Sequence, residues 1–120
     1  MEQGGIMYRK RLQQTFCWKI NGELKLFQYQ ILQKEKEVIY HAAYQIDCII
    51  SIYELLLEMS RRMSKETLEA AIAFPDILEF IYEEWMGYKD SYAEELQFCL
   101  NQELGKIRTE YRNMKEENER

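Results

Sequence analysis

The chain has 120 residues, 47% of them hydrophobic, and a single proline. This composition excludes a globally disordered chain and predicts one domain with a substantial core, built mainly from long helices. The net charge of −5 argues against a protein that binds DNA or RNA by neutralising phosphates, so no direct nucleic-acid ligand is expected.

The charge is distributed unevenly along the chain. Residues 76–103 contain eight acidic residues and one basic residue, Lys89, whereas residues 1–20 carry Arg9, Lys10, Arg11 and Lys19 against Glu2. Such asymmetry is most often only a set of solvated faces. The alternative is an acidic surface that recognises a basic partner.

The first third of the chain predicts helix. Residues 1–7 have the composition of a flexible lead-in, and an apolar residue then recurs every four positions from Tyr8 to Ile20. The pair Asn21-Gly22 is ambiguous, because between alternating apolar residues it is typical of a hairpin turn. Neither face of that hairpin would be cleanly apolar, so we expect helix across residues 15–28 and leave the hairpin as the alternative.

The longest apolar stretch, residues 35–63, predicts a central helix at about residues 35–62 that is buried on most of its sides. Its apolar residues form two adjacent rows at helical spacing, which is wider than a surface helix needs. A membrane span is disfavoured because Asp47 would lie near the bilayer centre. If Asp47 is buried in a folded domain, it needs a hydrogen-bonding partner such as Arg61, Arg62 or a tyrosine hydroxyl.

The remaining chain predicts three further helices. Ser64 is expected to cap a short helix that ends near Ala73, and Pro75 to be the first residue of the next helix. A final helix should carry its apolar face from Tyr92 to Tyr111, followed by a charged, flexible end at residues 115–120. The expected fold is therefore all-α: a compact bundle of four to five helices around the central one.

Two segments, ILQKEKEVIYHAAYQI (31–46) and FPDILEFIYEEW (74–85), resemble an uncharacterised family of small helical proteins from Gram-positive gut bacteria. The resemblance covers about residues 24–100 and rests mainly on Ala43-Tyr44, Pro75, Leu78 and Trp85. The chain departs from the family pattern at residues 49–51, which are not charged here. The resemblance implies an all-helical fold and no established activity, and it favours helix over hairpin at residues 24–32.

Catalytic and metal-binding arrangements are not supported by the sequence. There is one histidine, His41, and the three cysteines (Cys17, Cys48 and Cys99) have no paired spacing, so neither a zinc site nor a disulfide framework is expected. His41 and Cys48 are seven residues apart, about 10 Å along a helix, which is too far for a Cys–His nucleophile pair. We expect a cytoplasmic, non-enzymatic protein without a cofactor and with no membrane attachment.

A protein-binding surface is the function that the sequence favours. Aromatic residues beside the acidic stretch are typical of protein interfaces, and the predicted site consists of Glu79, Tyr82, Glu83, Trp85, Tyr88 and Tyr92. The partner would be a basic or nucleic-acid-handling protein, by analogy with acidic accessory or inhibitor proteins of phages and mobile elements, anti-CRISPR inhibitors included. The alternative is a small helical transcriptional regulator that binds DNA through its basic N-terminal arm, and a homodimer is left open.

Overall fold

A computed structural model describes residues 2–87 and 93–119 of the chain. Within these ranges the fold is all-helical, as predicted, and contains six helices rather than four to five. The central segment accounts for the extra helix, because it is interrupted at Ala42. The helices are α1 (Glu2–Leu32), α2 (Lys36–His41), α3 (Ala43–Ser60), α4 (Lys65–Ala73), α5 (Ile77–Met86) and α6 (Ala93–Glu119).

The long helix α1 runs straight through Asn21-Gly22, so the helical interpretation is confirmed and the hairpin is wrong. Its buried residues Phe16, Ile20 and Leu24 are spaced by four and continue one apolar face across the pair. The Asn21 amide nitrogen donates a hydrogen bond to the Tyr53 hydroxyl at 2.9 Å, which ties this point of α1 to α3. Helix extends into both end segments, from Glu2 and as far as Glu119; their flexibility stays a prediction.

The central segment differs from the prediction in its burial. None of the residues of α2 is buried, and Tyr40 is 79% exposed. In α3 the fully buried residues are flanked by partly buried ones that also pack on the core, so this helix is covered over more than half of its circumference. The prediction of a helix buried on most sides over residues 35–62 is therefore wrong for its first third. The second apolar row suggested more cover than this segment has, because α2 packs mainly on α3.

Arg9 of α1 holds the C-terminal end of α3. Its guanidinium donates hydrogen bonds to the carbonyl oxygens of Ser60 (2.9 Å), Arg61 (2.7 Å) and Met63 (3.0 Å). The last carbonyls of a helix have no partner within the helix and carry partial negative charge, so a cation is favourable there. Beneath this contact, the buried Ser60 hydroxyl donates to the Leu57 carbonyl at 2.6 Å and accepts from the Gln13 amide at 3.4 Å.

The short helix α4 begins and ends as predicted. The Ser64 hydroxyl accepts a hydrogen bond from the backbone N–H of Thr67 at 3.1 Å, the geometry of an N-cap. Pro75 differs from the prediction, since it lies in a turn between α4 and α5 rather than in the first position of α5. The residue that follows, Asp76, has φ = 49°, a left-handed conformation that aspartate tolerates better than most residues.

Helix α5 is capped from another helix. Its preceding residue, Asp76, makes no side-chain cap, and instead the carboxylate of Glu23 on α1 accepts a hydrogen bond from the Leu78 N–H at 2.9 Å. Glu23 also pairs with Lys19 one turn earlier. Arg9 and Glu23 thus make α1 the helix that fixes the ends of α3 and α5.

Helix α6 completes the core by packing against α4 and α5. Its buried residues follow the predicted face from residue 96 onward, and they join α1, α3, α4 and α5 in one hydrophobic cluster. Arg112 on α6 bonds Glu66 on α4 at 2.7 Å, at the surface of the same contact. The predicted position Tyr92 lies outside the described residues. The overall dimensions are 54 × 30 × 28 Å.

Candidate functional site

An acidic face is formed by two helices that pack on each other, α3 and α5. Neither helix contains a lysine or an arginine. Together they carry six carboxylates, three on each helix: Asp47, Glu54, Glu58, Glu79, Glu83 and Glu84. None of the six forms a salt bridge with another described residue. We call the surface that carries Asp47, Glu54, Glu79 and Glu83 the acidic face; Glu84 lies on another side of α5, and Glu58 lines the cleft between α3 and α6.

The carboxylates of α3 follow one side of the helix. Asp47, Glu54 and Glu58 are separated by seven and four residues, which places them on one exposed strip together with Tyr44. Asp47 is exposed, so it does not need the buried partner that its sequence position suggested. Its carboxylate is accessible to solvent, which can hydrate it.

Two carboxylates of α5 lie beside an aromatic residue. Glu79 and Glu83 are exposed, and Tyr82 and Met86 lie on the same side of the helix, Tyr82 half-buried and Met86 exposed. Burial raises the pKa of Tyr82 above its usual value of 10.0, with smaller contributions from Cys48 and Tyr44 of α3. Tyr82 packs against the core on α5, a helix that contacts α3.

The predicted site residues are only partly brought together. Glu79, Tyr82 and Glu83 share the acidic face, as the sequence suggested. Trp85 does not join them, because its side chain is 4% exposed and belongs to the hydrophobic core. Tyr88 and Tyr92 lie outside the described residues.

Sequence reasoning missed the contribution of α3 to this surface. The sequence indicates Asp47 only as a candidate buried group, since the wide apolar surface of residues 35–62 predicts a helix covered on most sides. The absence of any basic residue between positions 43 and 60 was the available signal. The missing basic residues indicate an acidic surface only when the contact between α3 and α5 is also known.

A second exposed surface, on α1, was also missed. Met7, Trp18, Tyr29 and Leu32 are all exposed, and their spacing of eleven, eleven and three residues puts them on one side of the helix. Trp18 is 84% exposed, two residues away from the fully buried Phe16. We call this surface the α1 stripe. Exposed aromatic residues of this size are frequent in protein interfaces.

The basic residues of the N-terminal arm are partly used within the fold. Arg9 bonds the carbonyls at the end of α3, and Lys19 pairs with Glu23. Lys10 and Arg11 remain exposed. Two exposed cations give little phosphate neutralisation, so this arrangement lends no support to DNA binding through the arm.

The thiols and the histidine are dispersed. Cys48 and Cys99 are buried and Cys17 is partly buried, whereas His41 is exposed and its ring lies edge-on to Tyr40 at 5.7 Å. Among residues 2–87 and 93–119, no three histidine, cysteine or carboxylate side chains are grouped as metal ligands would be. None of the helices in the same ranges is both long and apolar enough to cross a bilayer.

Comparison with known proteins gives no relative: no family model, no curated protein and no solved structure matches the chain. The resemblance to the family of small helical proteins from gut bacteria therefore stays an expectation.

Proposed function

We propose that this protein is a non-enzymatic binding module whose acidic face docks on a basic protein partner. The observation that carries the proposal is the absence of any basic residue from two adjoining helices with six carboxylates. Surfaces usually intersperse both signs of charge, and a face of one sign steers a partner of the opposite sign toward it. Tyr44, Tyr82 and Met86 supply apolar contact area among those carboxylates.

The partner that fits this face carries clustered lysines and arginines. Proteins that handle nucleic acid have such clusters, because they neutralise phosphates. A helical face of carboxylates would occupy the same cluster and so compete with the nucleic acid. We therefore propose the role of an accessory or inhibitor protein, of the type that phages and mobile elements encode against nucleic-acid enzymes.

The test compares charge-neutralised variants in partner capture. The immobilised protein is used to capture partners from a cell lysate at low salt, and bound proteins are eluted with increasing NaCl and identified by mass spectrometry. The variant Asp47→Asn/Glu79→Gln/Glu83→Gln removes three charges from the acidic face. A partner of the proposed kind is basic, elutes as salt screens the contact, and is lost from this variant.

A matched control removes three charges from elsewhere. Glu110, Glu116 and Glu117 are exposed on α6 and form no salt bridge with another described residue. The variant Glu110→Gln/Glu116→Gln/Glu117→Gln should keep the partner. Equal loss in both variants would mean that net charge, and not the acidic face, holds the partner.

The α1 stripe provides the second comparison. Trp18→Ala/Tyr29→Ala removes its two aromatic side chains and should leave capture unchanged. A partner that disappears with this variant and stays bound to the charge-neutralised one docks on the α1 stripe, and the proposal for the acidic face would then be wrong.

A further inference from the structure

A polar cleft lies between α3 and α6, where these two helices do not pack closely on each other. It has a volume of about 560 Å³, within the usual range for small-molecule sites. Its walls are one side of the C-terminal part of α3 and one side of α6, and the start of α4 closes its base. Its polar lining includes Glu58, Arg62, Ser64, Gln97, Asn101 and Arg108.

Arg108 is the group in this cleft whose bonding is incomplete. Its Nη1 donates to the Thr67 hydroxyl at 3.5 Å, a long hydrogen bond, and its Nε is buried without a partner among the described residues. A buried donor on a charged group is costly when unpaired. Because arginine does not lose its proton in proteins, only an acceptor can relieve that cost.

The geometry of the guanidinium selects the acceptor. Thr67 takes Nη1 and Nε is closed to solvent, which leaves Nη2 as the donor that an acceptor in the cleft can reach. A charged guanidinium N–H makes its strongest hydrogen bonds with the oxygens of a phosphate or a carboxylate.

The surrounding charges favour an anion as well. Arg62 lines the same cleft, and the one acidic group in its lining is Glu58, so the two arginines leave a balance of +1. The N-terminal end of α4 adds partial positive charge at the base. Gln97 and Asn101 offer neutral amide donors, and Met59 and Leu104 give an apolar wall.

We propose that the α3–α6 cleft binds a small molecule that carries a phosphate or carboxylate group, held by Arg108 and Arg62. The amides of Gln97 and Asn101 would hold polar atoms of its body, and the apolar wall would contact the remainder. This proposal does not depend on the acidic face or on its partner.

The test is thermal unfolding and amide chemical shifts with four probes at equal ionic strength. Inorganic phosphate and acetate separate the two oxyanions, and adenosine 5′-monophosphate against adenosine tests the need for a charged group on a larger body. A ligand that binds only the folded state raises Tm. We expect at least one anionic probe at about 10 mM to raise Tm by about 2–5 °C, adenosine to have no effect, and the shifted amides to include Thr67 and Asn101.

Two variants and a control make the test specific. The variant Arg108→Lys keeps the positive charge but replaces the planar guanidinium by an ammonium. This variant should therefore show less than half of the wild-type increase in Tm. Arg62→Gln tests the second cation at an exposed position, where folding should not suffer, and should also reduce the increase. Arg11→Gln, an equal charge change at an exposed position on α1, should leave it intact.

The outcomes decide the proposal. It is supported by a Tm increase with an anion that depends on Arg108 and Arg62 and not on Arg11. It is overturned if no anionic probe binds at up to 20 mM (about twenty times a Kd of 1 mM), or if all variants respond as the wild type does.

Discussion

Replacing Arg9 with methionine should destabilise the protein by about 2–3 kcal/mol. The substitution keeps most of the aliphatic stem and removes the three hydrogen bonds to the carbonyls of Ser60, Arg61 and Met63. Two of these bonds are partly buried and contribute about 1–1.5 kcal/mol each, because they involve a charged donor but retain some solvent access. The exposed bond to Arg61 adds little, since water replaces the guanidinium there.

Urea unfolding followed by circular dichroism at 222 nm measures this loss. At constant m value it appears as a lower midpoint, and in thermal unfolding as a decrease in Tm of roughly 8–12 °C. Arg9→Lys should lose about half as much, because an ammonium keeps the favourable charge and cannot reach three carbonyls with fixed geometry.

The matched control for this prediction is Arg11→Met. Arg11 lies on the same helix, is exposed and makes no hydrogen bond with another described residue. Its replacement should therefore lower the free energy of unfolding by no more than about 0.5 kcal/mol. If Arg9→Met is as harmless as Arg11→Met, Arg9 does not hold the end of α3 and the account of α1 as the organising helix is wrong.

Three further predictions concern two residues of α1 and one of α5. Glu23→Ala should cost about 1–2 kcal/mol in urea unfolding, because α5 loses the carboxylate that caps it, whereas Glu116→Ala on the exposed end of α6 should cost almost nothing. Gly22→Ala should stabilise the protein by about 0.5–1 kcal/mol, since a Cβ there meets no atom within 4 Å and alanine is the better helix former; a decrease in the urea midpoint would contradict a continuous α1. For Tyr82, a folded-state pKa above 10.0 means that the unfolded chain ionises first. Stability should therefore be unaffected by this group below pH 10 and fall above it, and Tyr82→Phe should lose less stability than the wild type between about pH 8 and pH 11.

The parts of the fold that depend on local chemistry were predictable from sequence. The Ser64 cap and the end of α4 near Ala73 follow from side chains within a few residues of each other. The helical course through Asn21-Gly22 was favoured because an apolar face at helical spacing continues past it. In each case the deciding information lies within one continuous stretch of the chain, from a few residues to a few turns of helix.

The parts that depend on contacts distant in sequence were not predictable. Arg9 bonds carbonyls more than fifty residues away, and Glu23 caps a helix that begins over fifty residues later. Neither arginine nor glutamate at these positions has a local pattern that indicates such a role. Pro75 had a favourable local pattern for the first position of α5, and the turn through Asp76 displaced it.

The candidate site also combines features that are visible locally in the sequence with features that depend on contacts distant in sequence. Glu79, Tyr82 and Glu83 were predicted because charge and aromatic residues are visible along one helix. Trp85 shares the apolar side of α5 with Ile77 and Ile81 at helical spacing, so its burial was predictable, and only its inclusion in the binding site was wrong. The addition of Asp47 required knowing that α3 and α5 are neighbours.

The most direct test of the acidic face is the salt dependence of affinity for a captured partner. Affinity is measured by isothermal titration calorimetry at several NaCl concentrations for the wild type and for Asp47→Asn/Glu79→Gln/Glu83→Gln. We predict that wild-type affinity falls steeply as salt increases and that the variant binds at least tenfold more weakly at low salt with a shallower dependence, a difference of about 1.4 kcal/mol or more. Equal affinities and equal salt dependence in the two proteins would contradict docking through this face.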